Sequence, residues 1–247
     1  MKKLYLFIVL ILFSLTMTDV LKSQTLNRDL WETNGQVFSI AVDGDYTYIG
    51  GDFRYVGPRN AFGAKLTTSN HTPDLRFPEI NGSVLTASPD GNGGWFIGGE
   101  FTKVGGYNRN YIAHINSDGS VDADWNPDPD NWVTVIKVNG SDVYAGGWFS
   151  SIGGLTRNYI AKLNNTNGQA DTNWNPDADS DVKTIAISGS DLYVGGNFSE
   201  IGGKSLNRIA KLNTTDGKAD SSWNPNSNGE INIIVISGSD IIYGRNV

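Results

Sequence analysis

Gly50-Gly51-Asp52-Phe53 is the stretch that decides the fold, because two glycines, a variable residue and phenylalanine return three more times. The later copies begin at Gly98, Gly146 and Gly195, at steps of 48, 48 and 49 residues. Two other series keep this spacing: the aromatic residues Trp31, Phe77, Trp125, Trp174 and Trp223, and the runs Ala64-Lys65-Leu66, Ala113-His114-Ile115, Ala161-Lys162-Leu163 and Ala210-Lys211-Leu212. Three series in phase indicate an internal repeat.

Each repeat predicts short strands separated by turns. In the third repeat, the β-branched residues 133–138 are typical of a strand. Asn139-Gly140-Ser141-Asp142 is typical of a tight hairpin turn, in which glycine supplies a positive φ. Residues 143–145 and 159–163 predict a second and a third strand, and a short fourth strand is expected to end at Trp174. No long stripe of helical period follows the N-terminal residues.

This organisation predicts an all-β fold, a β-propeller of four-stranded antiparallel blades. The predicted domain covers residues 24–247. Its four complete blades are residues 37–77, 84–125, 133–174 and 182–223, followed by a partial fifth blade at 231–247. A single four-stranded sheet cannot bury both faces, so each blade needs its neighbours. The tryptophan and glycine series are accordingly interpreted as packing residues.

The partial fifth repeat leaves two interpretations open. It has a first strand and a turn, but Arg245 stands where the second glycine is expected. A lone strand near residues 26–31 precedes the first blade and is a candidate to close a ring. The chain is either a small five-bladed ring with a defective seam or a fragment of a longer ring.

The N-terminus predicts a signal peptide over residues 1–23. Lys2 and Lys3 precede an uncharged apolar run at residues 4–17, and polar residues follow. We therefore expect a secreted, periplasmic or cell-surface protein without a membrane span in the mature chain. An uncleaved membrane anchor is the alternative interpretation of the same residues.

Composition excludes several classes of site. The chain has 247 residues, no cysteine and two histidines, so thiolate metal sites and disulfides are excluded. A net charge of −7 argues against nucleic acid as a partner. No cofactor is expected.

The fourth repeat also resembles a known family. The resemblance rests on residues 191–203, Asn207-Arg208-Ile209-Ala210-Lys211-Leu212-Asn213, Gly217 and Trp223-Asn224-Pro225. These residues are similar to the delta-60 type β-propeller repeat of secreted bacterial proteins, and the glycine pairs are also similar to kelch repeats. The resemblance covers about residues 26–244. It implies a propeller and export but no catalytic residues. The first repeat departs from it, with Gly57-Pro58 in place of the second glycine pair.

Long loops and acidic connectors are expected to open on one face, where loops carry function on a rigid scaffold. The candidate ligand-binding residues on this face are Asp128, Asp130, Trp132, Trp148, Arg109, Arg157, Asp177, Asp179 and Asp181. The last three have the spacing of a calcium loop, but Val182 and Ser188 replace the glycine and the acidic residue of that motif. Calcium is therefore a weak alternative to turn-capping carboxylates. Trp132 and Trp148 are a candidate sugar-stacking platform.

His114 takes the place that lysine holds in three other repeats, so we expect it to face solvent. Because each repeat presents the same loop chemistry, the sequence favours a non-catalytic binding scaffold outside the cell. Its expected partner is a protein or a surface glycan. The alternative is a carbohydrate-active hydrolase or lyase that uses acidic residues such as Asp128 and Asp179. Whether the protein is an enzyme is left open, and a non-catalytic role is favoured.

Overall fold

A computed structural model describes residues 33–54, 62–67, 74 and 76–244. Twenty β-strands and no helix occur among these residues, so the prediction of an all-β fold is confirmed. In the described part of the chain, no helical segment has the length and apolar character needed to traverse a bilayer. The predicted signal peptide, the lone strand near residues 26–31 and Arg245 lie outside the described residues.

Five antiparallel sheets follow one another along the chain, and we number them 1 to 5. Sheet 1 contains β1 (Gln36–Asp43), β2 (Tyr46–Asp52) and β3 (Gly63–Thr67), and sheet 2 contains β4 (Val84–Pro89), β5 (Trp95–Gly99) and β8 (Ile112–Ile115). Sheet 3 contains β9 (Val133–Asn139), β10 (Asp142–Gly147) and β13 (Ile160–Asn164), and sheet 4 contains β14 (Val182–Ser188), β15 (Asp191–Gly196) and β18 (Ile209–Asn213). Sheet 5 is the hairpin of β19 (Ile233–Ser237) and β20 (Asp240–Gly244).

The loop between the second and third strands of sheets 2, 3 and 4 carries a small hairpin that the sequence did not predict. These hairpins are β6 (Lys103–Val104) with β7 (Tyr107–Asn108), β11 (Ser151–Ile152) with β12 (Leu155–Thr156), and β16 (Glu200–Ile201) with β17 (Lys204–Ser205). The second glycine pair forms each turn, as at Gly153 and Gly154, where φ is 62° and 80°. The Gly153 amide donates a hydrogen bond to the Pro127 carbonyl, so each hairpin is tied to the connector that precedes its sheet.

The expected fourth strand is much shorter than predicted. Three regular strands form each of sheets 1 to 4, and the fourth segment of sheet 3 is a single bridge between Leu163 and Ala170. The chain turns away at the next residue, because the Asp171 carboxylate accepts a hydrogen bond from the Asn173 amide and its carbonyl accepts one from the Trp174 amide. Sheets 2 and 4 have the same single bridge. The aromatic residue then packs between sheets instead of continuing a ladder.

Consecutive sheets stack so that the first strand of each packs against the first strand of the next. The core lies between them, with clusters that combine residues of neighbouring sheets. Trp125 and Trp174 are fully buried, and each indole N–H donates across to the following sheet, to the carbonyls of Asn164 and Asn213. The interpretation of the tryptophan series as packing residues is confirmed at these two positions.

The first glycine pair of each repeat meets two different steric demands. A Cβ at Gly146 would lie 2.8 Å from a methyl group of Val182 in the following sheet. A Cβ at Gly147 would lie 2.1 Å from the Trp132 carbonyl oxygen, at a β-bulge where the register of β9 and β10 shifts. The first glycine therefore admits the neighbouring sheet and the second admits the backbone of its own sheet.

Candidate functional site

The connectors and the small hairpins lie side by side, and an aspartate ties them together. Asp130, in the connector before sheet 3, accepts hydrogen bonds from the Ser150 and Ser151 amides and from the Ser150 hydroxyl. Asp179 makes the same three bonds to Ser199 and Glu200. Partial burial opposes ionisation, but these donors keep the pKa of both carboxyls below the usual value. Both predicted site residues therefore hold loops in place.

Asp128 and Asp177 begin the exposed turns of the two connectors. Both have a left-handed backbone, with φ of 47° and 50°, which aspartate tolerates better than most residues. Each carboxylate accepts a hydrogen bond from an asparagine of the preceding repeat, at 2.8 Å from Asn110 and 2.7 Å from Asn158. These bonds fasten a connector to the sheet it leaves.

Arg109 and Arg157 are buried, which corrects the expectation that they line the exposed face. The Arg109 guanidinium donates to the backbone carbonyls of Asn108, Asp122 and Ala123. Arg157 donates in the same way to the carbonyls of Thr156 and Asp171. Arginine has five donors and no acceptor, so it suits a turn where several carbonyls converge. The sequence placed these residues in the correct loops but could not show which way their side chains point.

The three aspartates with calcium-loop spacing point to different partners. Asp177 and Asp179 bond to Asn158 and to Ser199 as described. Asp181 is buried, accepts a hydrogen bond from the Asn197 amide group and has Lys183 Nζ at 3.8 Å. Within the described residues, no cluster of three or more carboxylates or histidines is arranged to hold a metal ion. The calcium alternative stays an untested prediction.

Trp132 and Trp148 form an exposed aromatic pair on the loop face, the pair we name the tryptophan platform. Their ring centroids are 5.8 Å apart with an interplanar angle of 38°, and they are 36% and 51% exposed. The Trp148 amide donates to the Trp132 carbonyl, so the backbone sets the spacing of the two side chains. In sheet 4, Asp181 and Asn197 hold the same two positions. The platform is therefore a local departure from the repeat.

In the next repeat, charged and polar groups occupy the positions that correspond to the platform. Asp181 directly precedes β14 as Trp132 directly precedes β9, and these first strands pack against each other. Lys183 Nζ lies 2.7 Å from a Glu230 carboxylate oxygen, which joins sheet 4 to the start of sheet 5. Two consecutive repeats therefore carry an apolar aromatic surface and hydrogen-bonding side chains at equivalent positions, and many binding sites combine these two kinds of group.

A second constellation recurs at the opposite end of the sheets, at the lysine position of each repeat. Lys162 lies 2.7 Å from Asp171 and 3.8 Å from Asp142, and Lys211 makes the same pair of contacts with Asp220 and Asp191. A cation between two carboxylates is thus a constant feature of sheets 3 and 4.

In sheet 2, a histidine takes the place of the lysine between the two carboxylates. The prediction that His114 faces solvent is wrong. His114 is buried, stacks on Phe96 at 4.2 Å, and lies 2.9 Å from Asp122 and 3.1 Å from Asp90. Gly94 stands where Asp142 and Asp191 stand in sheets 3 and 4, and a Cβ on it would lie 2.5 Å from Asp90 Oδ2. The Asp90 carboxylate therefore replaces the missing turn aspartate from the other side of the turn.

Burial disfavours a charged His114, but hydrogen bonds to Asp90 and Asp122 outweigh it, so the pKa of His114 is raised above 6.5. The pKa values of Asp90 and Asp122 are lowered for the reciprocal reason. A raised histidine pKa stabilises the fold at pH values below the unfolded pKa, and this stabilisation is lost as pH rises through the folded pKa. The two aspartates stabilise the fold above their unfolded pKa, and their contribution is lost in acid.

We expect the free energy of unfolding to fall as the pH rises from weakly acidic to alkaline. In the variant His114→Lys this part of the pH dependence should be flattened, because lysine stays protonated as Lys162 and Lys211 do in sheets 3 and 4. Urea denaturation at a series of pH values measures the effect. An equal slope for the two proteins would contradict the assignment.

Comparisons with known proteins agree with this geometry. A family model described as "Domain of unknown function (DUF5122) beta-propeller" matches residues 91–124, 142–173 and 191–222. These segments run from the hairpin turn of sheets 2, 3 and 4 to the residue before Trp125, Trp174 and Trp223. No curated protein matches the chain.

Two solved structures are similar in fold. The crystal structure of the computationally designed Ika8 protein superposes with a TM-score of 0.54 at 10% identity, over 87% of this chain and 70% of that chain. The WD40 beta propeller domain of Doa1 superposes with a TM-score of 0.50 at 9% identity, over 84% of this chain and 60% of that chain. At such identities the likeness concerns the fold alone. The chain is all-β and propeller-like, and its repeats are similar to those of a beta-propeller family of unknown function.

Proposed function

We propose that this protein is a non-catalytic binding scaffold that acts outside the cell and recognises a protein or a surface glycan through the tryptophan platform. The observation that carries the proposal is the exposed pair Trp132 and Trp148, which lie directly before β9 and directly after β10 of sheet 3, whereas the other tryptophans of the described residues are buried or partly buried. Export rests on the N-terminal pattern of Lys2, Lys3 and the apolar run after them.

Tryptophan suits such a role because it offers a large flat apolar surface and an N–H donor while losing little conformational entropy on binding. Aromatic side chains dominate the binding energy of many protein interfaces. The bulge at the start of sheet 3 and the bond between the Trp148 amide and the Trp132 carbonyl fix the spacing of the two backbone positions that carry the rings before a ligand arrives. This preorganisation reduces the entropic cost of binding.

The carboxylates of the same face are engaged in structural hydrogen bonds, which argues against their use as catalytic acids. Asp128, Asp130, Asp177 and Asp179 are all engaged in hydrogen bonds that hold turns and hairpins. The pKa of Asp130 and of Asp179 is lowered, whereas a catalytic acid at neutral pH needs a raised pKa. No observation on these residues favours the hydrolase or lyase alternative.

A ligand screen tests the proposal. The full chain is applied to an array of polysaccharides and to a panel of extracellular proteins, and the dissociation constant of each ligand found is measured by isothermal titration calorimetry. We expect Trp132→Ala with Trp148→Ala to weaken binding at least about 30-fold, which corresponds to about 2 kcal/mol, the contribution of a single hot-spot residue. The melting temperature should change little, because both side chains are exposed.

The matched control is Tyr107→Ala, which removes an exposed aromatic side chain from the hairpin of sheet 2. It should leave binding unchanged. A ligand that binds equally well to the double variant would overturn the platform as the recognition site. The two arms of the screen separate a glycan from a protein as the partner.

A further inference from the structure

The two outermost sheets of the described chain expose apolar faces. On sheet 1, Ile40 and Val42 of β1 are 67% and 62% exposed. On sheet 5, Val235 of β19 and Ile242 of β20 are 47% and 61% exposed. We name these surfaces the sheet 1 face and the sheet 5 face. Contiguous exposed apolar residues on a folded protein mark an interaction surface or an aggregation hazard.

Strand register shows that each face is one half of an interface that recurs inside the chain. Ile40 pairs with Ile49 in sheet 1 as Ile185 pairs with Val194 in sheet 4. Ile185 and Val194 are buried against sheet 3, in a cluster that includes Trp174. The sheet 1 face is therefore equivalent, by its position in the repeat, to the surface of sheet 4 that packs against sheet 3.

The sheet 5 face corresponds to the opposite side of this recurring interface between sheets. Val235 pairs with Ile242, and the same position in sheet 4 is the pair Ala186 and Tyr193. That pair is buried in a cluster with Ile231 and Ile234, which come from the following sheet 5 segment. The sheet 5 face is therefore equivalent, by its position in the repeat, to the surface of sheet 4 that packs against sheet 5.

We propose that a second copy of this chain docks head to tail, with its sheet 1 face against the sheet 5 face of the first copy. The contact would continue the stacking that already joins sheets 1 to 5, so it would bring together the same kinds of strand face that pack between sheets 3 and 4 and between sheets 4 and 5. Both surfaces are apolar at their centres, and association removes this area from water. Such a contact is heterologous, since two different surfaces of identical chains meet.

Two single variants and their mixture test this arrangement. The mass of the full chain is measured by sedimentation velocity from low to high micromolar concentration. We expect the unmodified protein to form species larger than one copy as concentration rises. Ile40→Lys, which blocks the sheet 1 face, and Ile242→Lys, which blocks the sheet 5 face, should each remain monomeric, because burying an unpaired charge is costly.

Mixing the two variants should restore a complex of two chains and no larger species, because each variant keeps the face that the other lacks. Thr215→Lys is the matched control, since it adds the same charge on an exposed turn and should associate like the unmodified protein. Far-UV circular dichroism confirms that each variant is folded. An unmodified protein that stays monomeric, or a mixture that does not form the two-chain complex, would overturn the proposal.

Discussion

Trp174→Ala is expected to lower the free energy of unfolding by about 3–5 kcal/mol, the usual cost of removing a large aromatic side chain from a packed core. Trp174 is fully buried, packs edge-on against Tyr144 with ring centroids 5.4 Å apart, and donates its indole N–H to the Asn213 carbonyl of sheet 4. The substitution leaves a cavity between sheets 3 and 4 and an unpaired carbonyl. Urea denaturation monitored by circular dichroism measures the change.

Trp148→Ala provides the comparison, because it removes the same side chain at a position that is 51% exposed. Its effect on stability should be about 0.5 kcal/mol or less, as for most surface substitutions. Trp174→Phe should fall between the two, since the smaller ring keeps part of the packing and loses the hydrogen bond. Equal losses for Trp174→Ala and Trp148→Ala would contradict the distinction between packing and platform tryptophans.

Gly196→Ala is expected to cost about 3 kcal/mol, at the upper end for overpacking, because the new methyl group meets backbone rather than a flexible side chain. A Cβ at Gly196 would lie 2.1 Å from the Asp181 carbonyl oxygen and 3.1 Å from the Val182 Cα. Neither atom can move without shifting the bulge at which the register of β14 and β15 changes. Thermal and urea denaturation should both show the loss.

Gly189→Ala is the matched control on the adjoining hairpin turn. Nothing lies within 4 Å of a Cβ there, and only the left-handed backbone, with φ of 58°, opposes the substitution. Its cost should be about 1–2 kcal/mol, and Gly189→Asn should recover part of it because asparagine tolerates this conformation. The assignment fails if Gly189→Ala is the more damaging of the two alanine substitutions.

The repeat and its turn chemistry were sufficient to predict the order of strands. Residues 133–138 and 159–163 were expected to be strands, and the structure has them at Val133–Asn139 and Ile160–Asn164. Such elements are readable because β-branched alternation and glycine turns act over a few residues. The fourth strand was overestimated, because Trp174 was interpreted as a strand residue and its packing between sheets depends on a neighbouring repeat.

The candidate site was predicted only in part. Trp132 and Trp148 stood out because they interrupt a repeat, and the structure places them side by side. His114 and Arg109 were expected at the surface but are buried. One signal was available for His114: Gly94 stands in the repeat position of the turn aspartate, and Asp90 lies close to it along the chain. The direction of a long side chain depends on contacts with other strands and loops, and the amino-acid sequence alone does not show these contacts.

What the sequence by itself determined is the sheet-forming repeat, its hairpin turns and the places where only glycine fits, since these depend on local conformation and on a spacing that recurs. What only the tertiary structure decided is the environment of each side chain. The pairing of two tryptophans, the burial of a histidine between two carboxylates and the open faces of sheets 1 and 5 all depend on which sheets pack together. Packing brings together side chains from different strands and sheets, and the distances between them set burial, charge and exposure.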